Sequence, residues 1–158
     1  MNSSITFDVG NVPSVLEALR NPRNAQLIAN ALAERYTDDM LDFIQSGQAF
    51  TGHTGQLAQS INWQPAGNGV AEIYANAEYA GYVERGTGEH AGHTSWVIRP
   101  KDRKALRFPV SVGGFGFARS VLHRGSKPHP YFFADMDNRD QHMQAAAHSV
   151  LARIITNG

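Results

Sequence analysis

Glu89, His90 and His93 form the run Glu-His-Ala-Gly-His, and His123 and His129 follow it. These are the residues that come nearest to a reactive set. Imidazole is a common zinc ligand, so two histidines three residues apart could share an ion, with a neighbouring carboxylate as base. A zincin needs His-Glu-x-x-His on a helix, which projects both rings from one face. Here the Glu precedes the first His, the spacing is three, and Gly86, Gly88 and Gly92 disfavour a helix. The five residues read as a loop at a surface or contact, and a His-dependent metal hydrolase stands as the alternative. His53, His142 and His148 read as ordinary histidines, the last two on the polar side of a helix.

Nucleophilic chemistry has less to start from. The chain has no cysteine and no G-x-S-x-G elbow. Ser120, His123 and Asp135 are present, but nothing in their spacing brings them together. Gly113–Phe117, Gly-Gly-Phe-Gly-Phe, offers neither a G-x-x-x-x-G-K-[ST] cradle nor G-x-G-x-x-G spacing. No catalytic residue, cofactor or metal ligand is therefore assigned. Phe115 and Phe117 read instead as a glycine-rich loop tip. It either folds back on a sheet or inserts into a neighbouring subunit.

Charge is the third possibility. Formal net charge is zero, yet residues 1–98 carry four basic and ten acidic residues. Residues 99–127 carry eight basic residues and one acidic. Arg99, Lys101, Arg103, Lys104 and Arg107 form a basic strip. It reads as solvated loop charge, as a face for an acidic neighbour, or as a lining for a DNA channel. A DNA-binding module using this segment is the second alternative function, although no recognition module is visible.

The elements that must position these residues follow from periodicity. Ile5, Phe7 and Val9 alternate as in a short strand, and Asn11 with Pro13 starts a helix reaching about Arg20. Asn21-Pro22 repeats the cap-plus-proline start. Leu27, Ile28, Ala31, Leu32, Met40, Leu41 and Ile44 then form one apolar stripe of a long helix, with Gly47 as its stop. Glu34, Arg35, Asp38, Asp39 and Asp42 take the opposite, solvated or partner-facing side. Thr54 caps a short turn over Leu57–Ser60. Ile61–Gln64 and Val70–Ala75 form a hairpin around Pro-Ala-Gly-Asn-Gly. Tyr79–Glu84 has helical spacing, ended by Gly86 and Gly88. Ser95–Pro100 and Ala105–Val112 read as two strands joined by the polar turn Lys-Asp-Arg-Lys, and Ala118–Arg124 as another. Tyr131, Phe132, Met136, Met143, Ala146, Ala147, Val150, Leu151, Ile154 and Ile155 mark a long C-terminal helix, with Pro130 in its first turn.

The expected class is α+β, a mainly antiparallel sheet packed against a long N-terminal helix and a long C-terminal helix. With 158 residues and no linker or repeat, the chain reads as a single domain, 1–158. Absence of cysteine excludes disulfides and thiolate metal sites. The N-terminus lacks the basic and apolar regions of a signal peptide, and no apolar run approaches the ~18 residues of a membrane span.

Three stretches in fixed order carry a resemblance. "TGHTGQLAQSI" (51–61) resembles a T-G-x-L-x-x-S-I signature through Thr54, Gly55, Leu57 and Ser60. "ANAEYAGYVERGTG" (75–88) resembles Y-A-x-Y-V-E-x-G-T through Tyr79, Ala80, Tyr82, Glu84, Gly86 and Thr87. "RGSKPHPYFFADMD" (124–137) resembles a P-[FY]-[FL] corner opening a C-terminal helix, through Pro130, Tyr131 and Phe132. Together they resemble the tailed-bacteriophage neck family, also called head–tail connector, minor tail or tail-completion proteins.

The resemblance implies a virion structural protein without catalysis. It would sit at the head–tail junction, after assembly in the host cytoplasm, as part of a homo-oligomeric ring around the DNA path. Its partners would be other neck, portal-side and tail proteins, with non-specific contact to passing DNA and no membrane. In that role Tyr79, Tyr82, Glu84, Arg85, Thr87, Phe115, Phe117, Tyr131 and Phe132 are the expected contact residues, because aromatic rings with polar tips suit interfaces. Tyr79, Tyr82 and Val83 equally suit a local core beneath the hairpin.

Overall fold

The computed structural model describes residues 20–50, 55–111 and 113–157. The strand expected around Ile5–Val9, the helix expected from Asn11, and Thr54 with its cap lie outside these residues. The described residues are α+β, with two long helices and antiparallel strand pairs. They cluster into two compact units. The first takes in residues up to Gly81 together with Pro130 onward, and the second is Tyr82–His129.

In the first unit, helix α1 is Pro22–Gln45. Asn21 caps it by accepting a hydrogen bond from the Arg23 amide at 3.0 Å, and Pro22 supplies the first-turn φ without an N–H that would go unpaired. The helix ends where Ser46 N–H returns to the Asp42 carbonyl and Gly47 turns left-handed at φ 77°. Ile28, Leu32, Tyr36, Met40 and Ile44 form its buried stripe. Ala29 and Ala33, fully buried, keep the stripe low enough for close packing. Leu27, expected in the stripe, is exposed.

A short helix α2, Gln56–Ser60, leads into strand β1, Ile61–Gly67, which pairs antiparallel with β2, Val70–Ala75. The register opposes Ile61 to Ala75, Trp63 to Ile73 and Pro65 to Ala71. Alternation turns Ile61, Ala71 and Ile73 inward. The turn is Asn68-Gly69, both with positive φ, as tight hairpins favour. Gln26 of α1 holds it from below, since its side chain donates to the Val70 carbonyl at 2.9 Å and accepts from the Gly69 amide at 3.2 Å.

The last helix of this unit, α4, is Met136–Asn157, after α3, Ala80–Arg85, which crosses from the first unit into the second. α4 packs on α1, with Met143 and Val150 buried. The expected start at Pro130 is corrected. Pro130, Tyr131 and Phe132 precede the helix, and Asp135 breaks the chain direction at φ 53°.

The second unit holds four short strands. These are β3 Trp96–Ile98, β4 Leu106–Pro109, β5 Phe115–Ala118 and β6 Val121–His123. β4 pairs with β5 and β3 with β6, both antiparallel. The expected pairing of the two strands flanking Lys-Asp-Arg-Lys does not form. Pro100 has no N–H to extend the β3 ladder and holds Arg99 extended, and the chain enters a new pair instead. Phe115 and Phe117 belong to a strand, while the loop tip is Gly113-Gly114, both with positive φ. Instead of one sheet, the described strands make three separate two-stranded ladders.

Candidate interaction surface

Tyr-Val-Glu-Arg-Gly-Thr-Gly, 82–88, is a clasp inside the second unit. Thr87 N–H donates to the Ser126 carbonyl at 2.9 Å, and Ser126 N–H donates back to Thr87 Oγ1 at 2.8 Å. Glu89 N–H reaches the Arg124 carbonyl and His129 N–H the Val83 carbonyl, each at 2.8 Å. Close backbone approach requires glycine here. A Cβ on Gly86 would stand 2.7 Å from the Ser126 carbonyl oxygen, and one on Gly125 would overlap the Thr87 carbonyl. The second and third sequence signatures are therefore stitched together. Thr87, expected at a partner contact, spends its hydroxyl within the chain.

Tyr131 and Phe132 are also corrected. Each is only 1% exposed, so in the single chain both side chains sit in the interior. Tyr36 Oη donates to the Phe132 carbonyl at 2.5 Å. Arg139, 2% exposed, donates to the Phe132 carbonyl at 2.8 Å and the Tyr131 carbonyl at 2.9 Å. Its guanidinium lies 5.0 Å from the centre of the Tyr36 ring. Phe50 meets Tyr131 edge-on at 6.4 Å. The aromatic corner is thus a core joint, fixed by an arginine that was not singled out in the sequence. Arg139 sits three residues after Met136 and four before Met143, so a basic residue on the apolar stripe was the available signal.

Other expected contact residues do lie at the surface. Tyr79 in the first unit and Tyr82 in the second are exposed, Arg85 is exposed, and Glu84 is half-buried. Arg99, Lys101, Arg103, Lys104 and Arg107 are all exposed. Phe115 and Phe117 are exposed on one face of β5, Phe117 by 70%. Arg107 stands opposite Phe117 in the register and lays its guanidinium 3.5 Å over the Phe115 ring. This brings Arg107, the last residue of the basic strip, and the two phenylalanines onto one strand pair.

The second unit has a wider peculiarity. Among the described residues, every buried apolar side chain belongs to the first unit. The second unit instead exposes Tyr82, Trp96, Val97, Ile98, Phe108, Val110, Phe115, Phe117 and Leu122. Trp96 stacks on His123 at 4.6 Å, but both sit at the end of a three-residue ladder. Val97, Leu122 and Trp96 escaped sequence reading because short strands with no partner layer carry the same residue pattern as buried ones.

The histidine run stays open to solvent. His90 lies on a 3-10 turn, Gly88–Ala91, and His93 N–H closes that turn on the Gly88 carbonyl at 2.8 Å. Among the described residues no three His, Asp or Glu side chains stand where they could hold a metal ion. Ser120 and His123 belong to the second unit and Asp135 to the first.

Within the first unit, α1 and α4 flank an open groove of about 610 Å³. Leu27, Ala31, Val150 and Ile154 line it together with the polar Asn24, Asn30, Glu34 and Arg153. Asp38 and Asp42 continue the line of Glu34 along exposed α1. Asp39 turns away from that line, to Arg35 and to His142 on α4, whose Nδ1 lies 3.0 Å from its carboxylate. No described helix is long and apolar enough to cross a membrane.

No curated protein and no solved structure matches the chain. Residues 16–86, which contain α1, the β1–β2 hairpin and α3, match the family model described as "Bacteriophage HK97-gp10, putative tail-component". Over this stretch the chain is similar to a tail component of a tailed phage.

Proposed function

We propose that this protein is a structural component of a tailed-phage particle, placed at the head–tail junction in the neck or tail-completion position. The reading makes it one member of a ring around the DNA path, gripping neighbouring virion proteins, with no bond-making task. The observation that carries it is the match of residues 16–86 to a phage tail-component family. The coreless second unit supports it, because 48 residues that expose nine large apolar side chains hold together best against another surface. The ordered signatures at 51–61, 75–88 and 124–137 favour the neck position in particular.

The exposed strip Arg99, Lys101, Arg103, Lys104 and Arg107 has two uses in this setting. It meets an acidic surface of a neighbour, or it lines a path along which DNA phosphates slide without sequence readout. The direct experiment is electron microscopy of particles made with and without this protein. Separate capsids and tails in its absence are the expected result. Normally joined particles in its absence refute the junction role.

A further inference from the structure

The boundary between the two units is also a boundary of charge. Tyr82–His129 carries nine basic and three acidic residues, a formal +6, and the remainder of the chain carries five basic and eleven acidic, a formal −6. The positive unit exposes aromatic rings, and the negative unit offers an apolar groove beside an acidic helix stripe. Two copies therefore present opposite surfaces to each other.

We propose that the β4–β5 arm of one copy seats Phe115 and Phe117 in the α1–α4 groove of the next copy. This rests on the reading of the protein as a virion structural component. The groove, at about 610 Å³, has the size of sites that enclose drug-sized molecules, which leaves room for two phenyl rings. Among its lining residues, Leu27, Ala31, Val150 and Ile154 offer apolar surface for the rings, beside Asn24 and Asn30.

The charges match in sign. Arg107 sits directly across from Phe117, and Arg103 lies at most about 13 Å further along an extended chain. On the receiving helix, Glu34 borders the groove and Asp42 stands about 12 Å beyond it. Arg103, Lys104 and Arg107 thus run beside Glu34, Asp38 and Asp42 when the rings are seated. Arg153 is the one basic side chain at the groove edge, and it lies on α4, across from that stripe. The contact is heterologous, since arm meets groove, so each copy has a free arm or groove left for another. Such contacts close into rings or run on as filaments.

The chain has no cysteine, so single cysteines can map this contact. Full-length copies carrying Leu27→Cys are mixed with full-length copies carrying Phe117→Cys, and both are also co-expressed during phage assembly. Mild oxidation with copper-phenanthroline is followed by non-reducing gels. The Leu27→Cys and Phe117→Cys mixture is expected to give at least about tenfold more covalent dimer than Leu27→Cys mixed with the exposed control Gln48→Cys. Phe117→Ser and Leu27→Glu, both at exposed positions, are expected to weaken self-association about tenfold with unchanged circular dichroism.

Yield no higher than the control, in solution and in particles alike, overturns the proposal. So does preferential bonding of Phe117→Cys to itself, which means arm against arm. Particles that contain the protein but cross-link Phe117→Cys only to a different virion protein overturn it while leaving the structural role intact. Particles that lack the protein altogether refute the structural role itself.

Discussion

Arg139 takes a full charge into the interior, and the residues around it are arranged to receive it. Two main-chain carbonyls accept from its forked guanidinium, and the Tyr36 ring faces it. Carbonyl oxygens, unlike a carboxylate, leave the charge un-neutralised, so geometry has to be good for burial to be tolerable. Arg139→Met keeps the volume and removes the donor to the Tyr131 carbonyl. It is expected to lower unfolding free energy by about 2–3 kcal/mol in urea titration, with Arg139→Lys falling between because its ammonium has no fork. Tyr36→Phe costs about 1 kcal/mol, since Arg139 still serves the Phe132 carbonyl. His90 and His93 are the opposite case. Exposed on a short turn, they are expected to tolerate alanine with unchanged stability and assembly. Elemental analysis showing one tightly held zinc per chain, lost on their replacement, would instead favour the hydrolase alternative.

Elements hold together through a few small residues. Ala29 and Ala33 on α1 let neighbouring side chains pack close to the helix backbone. Ala33→Leu overfills that space and is expected to cost about 1–3 kcal/mol, read from the urea midpoint at constant slope. In the second unit the clasp between Thr87 and Ser126 takes the place of a core. Gly125 holds it at φ 103°, where a side chain is both strained and blocked by the Thr87 carbonyl. Gly125→Ala is expected to open the clasp, with the Thr87 and Ser126 amides exchanging with deuterium faster while those of α1 keep their protection.

At the scale of the molecule, charge is divided: residues 82–129 carry a formal +6 and the rest of the chain −6. Net charge is zero, so repulsion does little to keep copies apart, and opposite-signed units attract. Reversing Lys101 and Arg103 to Glu is expected to weaken assembly and flatten its salt dependence in sedimentation runs at low and high salt. Equal assembly at both salts would remove the electrostatic part of the account. Assembly is also expected to raise amide protection across β4 and β5, whose Phe108, Phe115 and Phe117 side chains are exposed in the isolated chain.

Much of the first unit was legible in the order of residues. Asn21-Pro22, the stripe from Ile28 to Ile44 and the Asn68-Gly69 turn are local signals, and each forms where short-range sterics and capping direct it. The polar side of α1 was less clear. Glu34, Asp38 and Asp42 stay in solvent, while Arg35 and Asp39, one residue away, turn to His142 on a helix a hundred residues later. The α+β class and the clustering of basic residues in 99–127 were likewise written in composition and periodicity. Strand partners were not, because pairing is a contact between distant segments. β3 was expected beside the strand after Lys-Asp-Arg-Lys, and only the folded chain selected β6. The aromatic pair Tyr131-Phe132 shows the same limit: a ring that grips a neighbour and a ring that fills a core have the same chemistry. Contact with Tyr36, Phe50 and Arg139 puts this pair in the interior, whereas Phe115 and Phe117 stand exposed on β5.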